Sequence, residues 1–495
     1  MSRKKHRNRQ KKAARERHRS GIDAHQQQGS RLVPPFLQRG LPISLKSWTN
    51  DRLPEMIWAL LLVCPKPREY GLDLIRDALA RARREGWIKE FSDMTLTALG
   101  RSPDALKKLL TAMCHQPQIR SMLRPMLLFP GLPGRSVWES AIGEAPVLGD
   151  WATLAGSVAR SLGHQSQEAT DARWVRVCFM VAAEKLKLPA RQTIREVLDY
   201  PHVGDQRSVR PFIRSTEGAV STFPREDPPD RVWVDHFWSH CYGSTECAPW
   251  PTSFAETKPS TGTTRSRIRE TRAALIEAQK RATTTTAVDP RLDIVFGMAA
   301  YSLTLLDELM RVGADRSVGA RLYIRCLVET AVTLRYLVRL DDPELWRTYR
   351  VYGAGQAKLS SLKFEDVTVP PGYIDAEMIR AIANEDVWEE FLNIDLGHWE
   401  KTNLRQIAMK AGLKELYDQY YGWPSSYTHA QWGAVREVEF DTCGNPLHRL
   451  HRVLRVEGRS QPDAVPDAVR LVDEALIAVD EAYRPFPARV GELRA

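Results

Sequence analysis

Residues 290–340 read PRLDIVFGMAAYSLTLLDELMRVGADRSVGARLYIRCLVETAVTLRYLVRL, and this stretch decides the fold class. Pro290–Val312 and Val318–Leu340 each place apolar residues at helical spacing over more than five turns. The short GADRS segment between them predicts a turn. Both blocks are far longer than a buried strand, so each predicts a long apolar-faced helix. The second carries two charges one turn apart, Arg325 and Glu329. Charges on a buried helix must be paired, which makes these two a structural ion pair or the lining of a polar pocket where arginine holds phosphate.

Outward from this pair, the same pattern continues in both directions. C-terminally, helices are predicted at Glu344–Leu362, Thr402–Ala411, Leu413–Tyr421, Ser426–Val438 and Asp467–Tyr483. A small hairpin is predicted to turn at Gly444-Asn445. N-terminally, Arg267–Arg281 reads as a charged helix, preceded by APWPTSFAETKPSTGTT at 248–264. That Pro/Ser/Thr-rich run is the best domain boundary in the chain. From Ser47 to about Gly243 helix follows helix. Pro54 is placed as the first residue of a helix through Val63, and Ser102-Pro103 starts another in the same way. Further helices are predicted at Asp150–Ser161, Asp171–Leu186, Thr193–Leu198, Arg207–Ser221 and Arg231–Tyr242. No alternating strand pattern of useful length appears. The expected fold is therefore all-α: two helical domains at 41–247 and 266–495, a linker at 248–265 and a disordered basic tail at 1–40.

The tail holds nearly all the net charge. Arg3, Lys4, Lys5, Arg7, Arg9, Lys11, Lys12, Arg15, Arg17 and Arg19 face only Glu16, so Met1–Ser20 carries +9 of the chain's +10. A short cation without an apolar face cannot bury a core and is expected to stay disordered until an anion organises it. Clustered Arg and Lys bind phosphate by counterion release, which makes these ten residues the expected contacts to RNA or DNA. The competing readings are a solubilising arm and an arm that meets anionic lipid.

Composition excludes several classes. No apolar run reaches the length of a membrane span, and the N-terminus lacks an apolar signal region. Seven cysteines at irregular spacing, with no CxxC, fit a reducing cytoplasm. No phosphate-binding GxxxxGK[ST] loop, GxSxG elbow, HExxH or strand-linked GxGxxG occurs. No cofactor and no metal is expected. The nearest metal pattern is Asp235-His236-x3-His240-Cys241-x5-Cys247, whose two histidines share a helix face. Its spacing matches no standard zinc pattern, and Trp233, Phe237 and Trp238 suggest a packed aromatic helix instead. In Trp423-Pro-Ser-Ser-Tyr-Thr-His429, Ser425 or Ser426 is expected to cap a new helix with His429 in its first turn. There the dipole favours a neutral imidazole that serves as a base or binds a polar ligand.

Arg325-x3-Glu329 in an apolar helix is followed by Tyr349 and Tyr352, then Trp399, Leu404-Arg405, Tyr417, Tyr420 and Ser426-x2-His429. On these elements residues ~290–437 resemble the bacterial DUF5677 family. The resemblance implies an all-helical cytoplasmic protein without a firmly assigned activity, in a family some of whose members belong among phage-defence genes. It also implies that Arg325, Glu329, Arg405, Ser426 and His429 form a shared polar cluster. The leading expectation is a helical protein that engages nucleic acid through its tail, in defence or stress response. It leans away from catalysis. The enzyme alternative is a HEPN-like ribonuclease with His429 as base and Arg325 or Arg405 stabilising phosphorane charge. The Arg-x4–6-His spacing of that class occurs at Arg19–His25, Arg195–His202 and Arg231–His236, no more often than chance, and not at His429. The third reading is a non-catalytic protein–protein interaction scaffold.

Overall fold

The computed structural model describes residues 26–28, 31–33, 46–186, 191–200, 202, 209–222, 231–248, 261–365, 374–385 and 393–491. The polybasic run Met1–Ser20 lies outside them. The described residues are overwhelmingly helical. The exceptions are two short antiparallel pairs, Gln26–Gln28 with Arg31–Val33, and Phe440–Thr442 with Arg452–Leu454. The first pair falls inside the stretch expected to be disordered. No described helix is long and apolar enough to cross a membrane.

The chain divides into two compact units. The first is Met1–Trp250 together with Thr442–His451, and the second is Pro251–Asp441 with Arg452–Ala495. The ten-residue segment Thr442–His451, expected within the C-terminal domain, thus belongs to the first unit, where Leu447 enters its core.

The first unit is built around the helix Gln167–Ala182, in which every residue from Ala169 to Phe179 is buried. The sequence places its start at Asp171. It begins earlier because Ser166 accepts a hydrogen bond from the Ala169 amide and so caps the helix end. Its buried charges are all paired. Asp171 accepts two hydrogen bonds from Arg68 and one from the Tyr200 hydroxyl. Arg173 donates to the His164 carbonyl and lies over the Trp48 ring. Arg176 reaches Asp93, Glu217 and Ser221.

Helices Ile57–Val63 and Arg68–Arg84 approach closely at Gly71, where a Cβ would overlap the Leu62 carbonyl. Gly71→Ala is expected to cost about 1–3 kcal/mol through overpacking against backbone. Gly156→Ala, in a helix where an added methyl meets nothing within 4 Å, is expected to stabilise by about 0.5–1 kcal/mol. Urea denaturation midpoints of the two variants should move in opposite directions.

In the second unit, Pro290–Arg311 and Val318–Leu340 pack side by side, and Val465–Ala482 covers both. The predicted pair of long helices is present. Thr261–Ala282 lies against Pro290–Arg311, while Leu404–Ala411, Lys414–Tyr420 and Gly422–Thr428 line Val318–Leu340. The predicted Ser426–Val438 helix is two helices, Gly422–Thr428 and Trp432–Glu439. The chain breaks at Ala430, which adopts a left-handed φ of 46°. The strand Phe440–Thr442 does not turn back at Gly444-Asn445. Its partner is Arg452–Leu454, because the intervening residues fold separately around the turn Pro446–His448.

Candidate functional site

One face of Val318–Leu340 carries Arg325 and Glu329 at i, i+4, and the short helices that follow Leu404 bring polar groups to it. Asn403 caps Leu404–Ala411 by accepting from the Gln406 amide, and Gly412 ends that helix at φ 77°. The chain then folds into Lys414–Tyr420 and Gly422–Thr428. Tyr421 sits at the junction and His429 at the C-terminal end of the second of these.

Arg325 is the centre. Its Nε donates to Glu329 at 3.1 Å, its Nη1 to His429 Nε2 at 3.2 Å and its Nη2 to the Tyr421 hydroxyl at 3.2 Å. The guanidinium carbon also lies 5.2 Å from the Tyr421 ring centroid. A guanidinium N–H can only donate, so Nε2 of His429 accepts and its ring proton belongs on Nδ1. Burial opposes the charge of Arg325, but its bonds to Glu329 and Tyr421 and their charges hold it above its ordinary range. The tyrosines Tyr417 and Tyr421 stack, with centroids 4.6 Å apart and planes 19° apart.

The ion pair differs from the sequence expectation of buried charge. The Arg325 side chain is 20% exposed and that of Glu329 43% exposed, so the pair borders solvent. The cluster joins Arg325, Glu329 and His429 but not the other two residues expected in it. Ser426 does not cap a helix. It lies inside Gly422–Thr428, buried, with its hydroxyl donating to the Trp423 carbonyl at 2.5 Å. The helix starts at Gly422 because Pro424 is accommodated in its first turn, which moves His429 from the first turn to the far end. The first-turn dipole argument therefore does not apply to it. Arg405 is exposed and pairs with Asp418 at 3.3 Å. Tyr421 was missed by sequence reasoning, although Tyr417-x3-Tyr421 is the i, i+4 spacing that puts two rings on one helix face.

The histidine pair of the first unit has other work. His236 Nε2 accepts from the Gly131 amide at 3.1 Å, and His240 Nε2 bonds the Leu128 carbonyl at 2.9 Å. Their rings stack 5.6 Å apart, and Cys241 points into the core. Cys247 instead lies beside Cys443, His448 and His451. This grouping was not legible in the sequence, because Cys247 and Cys443 are nearly two hundred residues apart. The short run Cys443-x4-His448-x2-His451 was the one available signal.

Residues 293–444 match the DUF5677 family, a family of unknown function, and no family matches the N-terminal half. The matched region contains Arg325, Glu329, Tyr421 and His429. No curated protein and no solved structure matches the chain.

Proposed function

We propose that the chain engages single-stranded nucleic acid, with the Arg325–Tyr421–His429 face of the second unit as its recognition surface and Met1–Ser20 as a source of salt-sensitive affinity. The observation that carries this reading is the convergence on Arg325. A fixed guanidinium beside stacked tyrosines offers a phosphate contact and a stacking platform together. Two further aromatics on the short helices that follow, Trp423 and Trp432, are 53% and 61% exposed. Flat exposed rings suit unpaired bases, whereas a duplex hides its base faces.

The Arg325–His429 contact also supports the rival reading, a ribonuclease with His429 as general base and Arg325 beside the phosphate. Labelled RNA and DNA should be incubated with full-length protein, a deletion of residues 2–20, Arg325→Ala and His429→Ala, with bound and cleaved species resolved together. Binding that weakens roughly 5- to 30-fold in Arg325→Ala, about 1–2 kcal/mol for one charged contact, supports recognition at this face. Cleavage lost in His429→Ala would replace the binding reading with the enzyme. No retention of either nucleic acid at low salt would end both and leave the interaction scaffold.

A further inference from the structure

Four donor side chains meet at one point of the first unit. Cys247 lies three residues beyond the helix Val232–Ser244, and Cys443 follows the strand Phe440–Thr442. His448 closes the turn Pro446–His448, and His451 immediately precedes the strand Arg452–Leu454. One ligand atom from each lies within 4.8 Å of all the others.

Three sulfur–nitrogen separations match those of a coordination tetrahedron. Cys247 Sγ is 3.5 Å from His448 Nδ1 and 3.6 Å from His451 Nε2, and Cys443 Sγ is 3.4 Å from His448 Nδ1. Zinc–sulfur bonds of about 2.3 Å and zinc–nitrogen bonds of about 2.0–2.1 Å, at tetrahedral angles, place sulfur and nitrogen about 3.6 Å apart. From this match we propose a structural Zn(II) site formed by Cys247 Sγ, Cys443 Sγ, His448 Nδ1 and His451 Nε2.

Three observations independent of those distances support it. His448 turns its other nitrogen, Nε2, to the Thr245 carbonyl at 3.1 Å and the Thr245 hydroxyl at 2.9 Å. A proton held on Nε2 leaves the Nδ1 lone pair facing the thiols, which is the outer-shell arrangement of a ligating histidine. Arg449 and Leu450, between the two histidines, both take left-handed backbone conformations, φ 37° and 56°. Such conformations persist in non-glycine residues only where the surroundings over-determine them. Finally, the segment is moored to the end of the Val232–Ser244 helix. Asn445 Nδ2 donates to the Glu246 carbonyl at 2.8 Å and to the Thr245 hydroxyl at 3.0 Å, and the Gly444 amide donates to the Ala248 carbonyl.

Four protein donors leave no open position, so the site is structural and not catalytic. On binding, the two thiols release two protons and their thiolates neutralise the ion. The ion would clamp Thr442–His451 onto the rest of the first unit. His451 Nδ1 is buried without an acceptor, so of the two histidines His448 is the one whose outer nitrogen is hydrogen-bonded. Of the four residues only Cys443 falls inside the family match at 293–444. The site is therefore a property of this chain beyond that region.

Full-length protein purified without chelator should contain about one zinc per chain by elemental mass spectrometry. Cys326→Ser, at an exposed cysteine outside the cluster, should retain it, and Cys247→Ser/Cys443→Ser should not. Because the double variant risks misfolding, wild-type protein stripped by chelator should also be titrated with Co(II). One equivalent should produce the intense visible ligand-field bands of a four-coordinate site and a thiolate-to-metal charge-transfer band. Zinc retained by the double variant would overturn the proposal. So would a weak six-coordinate cobalt spectrum, or a Cys247–Cys443 disulfide found in the intact mass without reductant.

Discussion

Arg176→Ala is expected to destabilise the first unit by about 3–5 kcal/mol, the cost of removing one partner from a buried ion pair. The Arg176 side chain is 5% exposed and those of Asp93 and Glu217 are each 1% exposed. Its guanidinium holds Asp93 through two bonds, Nε at 2.8 Å and Nη2 at 2.6 Å, and Glu217 through Nη1 at 2.7 Å. Glu217 has a second partner, Arg52 at 2.5 Å, so most of the penalty is expected to fall on Asp93, which loses its two-point partner. Guanidinium chloride unfolding should show the loss as a lower midpoint. Arg81→Ala removes an exposed pair with Glu85 and should cost less than about 1 kcal/mol. Equal losses in the two variants would contradict the account.

The same variant should acquire a pH dependence. Burial is the main reason that the Glu55 carboxyl is pushed up, with the Asp93 charge adding to the rise and Arg176 opposing it. Removing Arg176 pushes Glu55 further up. A carboxyl whose folded pKa exceeds its unfolded value gives up stability as pH rises through the folded value. The deficit of Arg176→Ala should therefore shrink as pH is lowered through the raised Glu55 range towards that of an ordinary carboxylate.

Deleting residues 2–20 is expected to have the largest effect on nucleic-acid affinity. Ten cations lie in that segment against one Glu. If six to ten phosphates are neutralised on a single strand, with a slope of about −0.7 per phosphate, affinity falls by about 300- to 15,000-fold between about 50 and 200 mM salt. The deletion should flatten the slope to that of the phosphate contacts made by the Arg325 face of the second unit. Arg325→Ala should lower affinity with a slope change of about one. Fluorescence anisotropy of a labelled oligonucleotide across a salt series separates these contributions. An unchanged slope in the deletion would remove the segment from the interaction.

The sequence by itself determined the helical class, because apolar spacing along Pro290–Arg311 and Val318–Leu340 is a local property of one helix face. It also determined the Arg325–Glu329 pair, since a separation of four residues already places both on one side. His429 was legible as a candidate, but its position was not. Whether Ser425, Ser426 or Gly422 starts the helix depends on how Pro424 is accommodated and where Ala430 breaks the chain. Only the tertiary structure decided the rest. Helix Gln167–Ala182 carries Asp171, Arg173 and Arg176 yet is buried from Ala169 to Phe179, because Asp93, Arg68 and Glu217 arrive from distant segments to pair its charges. Cys247 meets Cys443, His448 and His451 for the same reason. Residue spacing reports neighbours within one element, whereas donors separated by two hundred positions become neighbours only when packing excludes water between the segments that carry them.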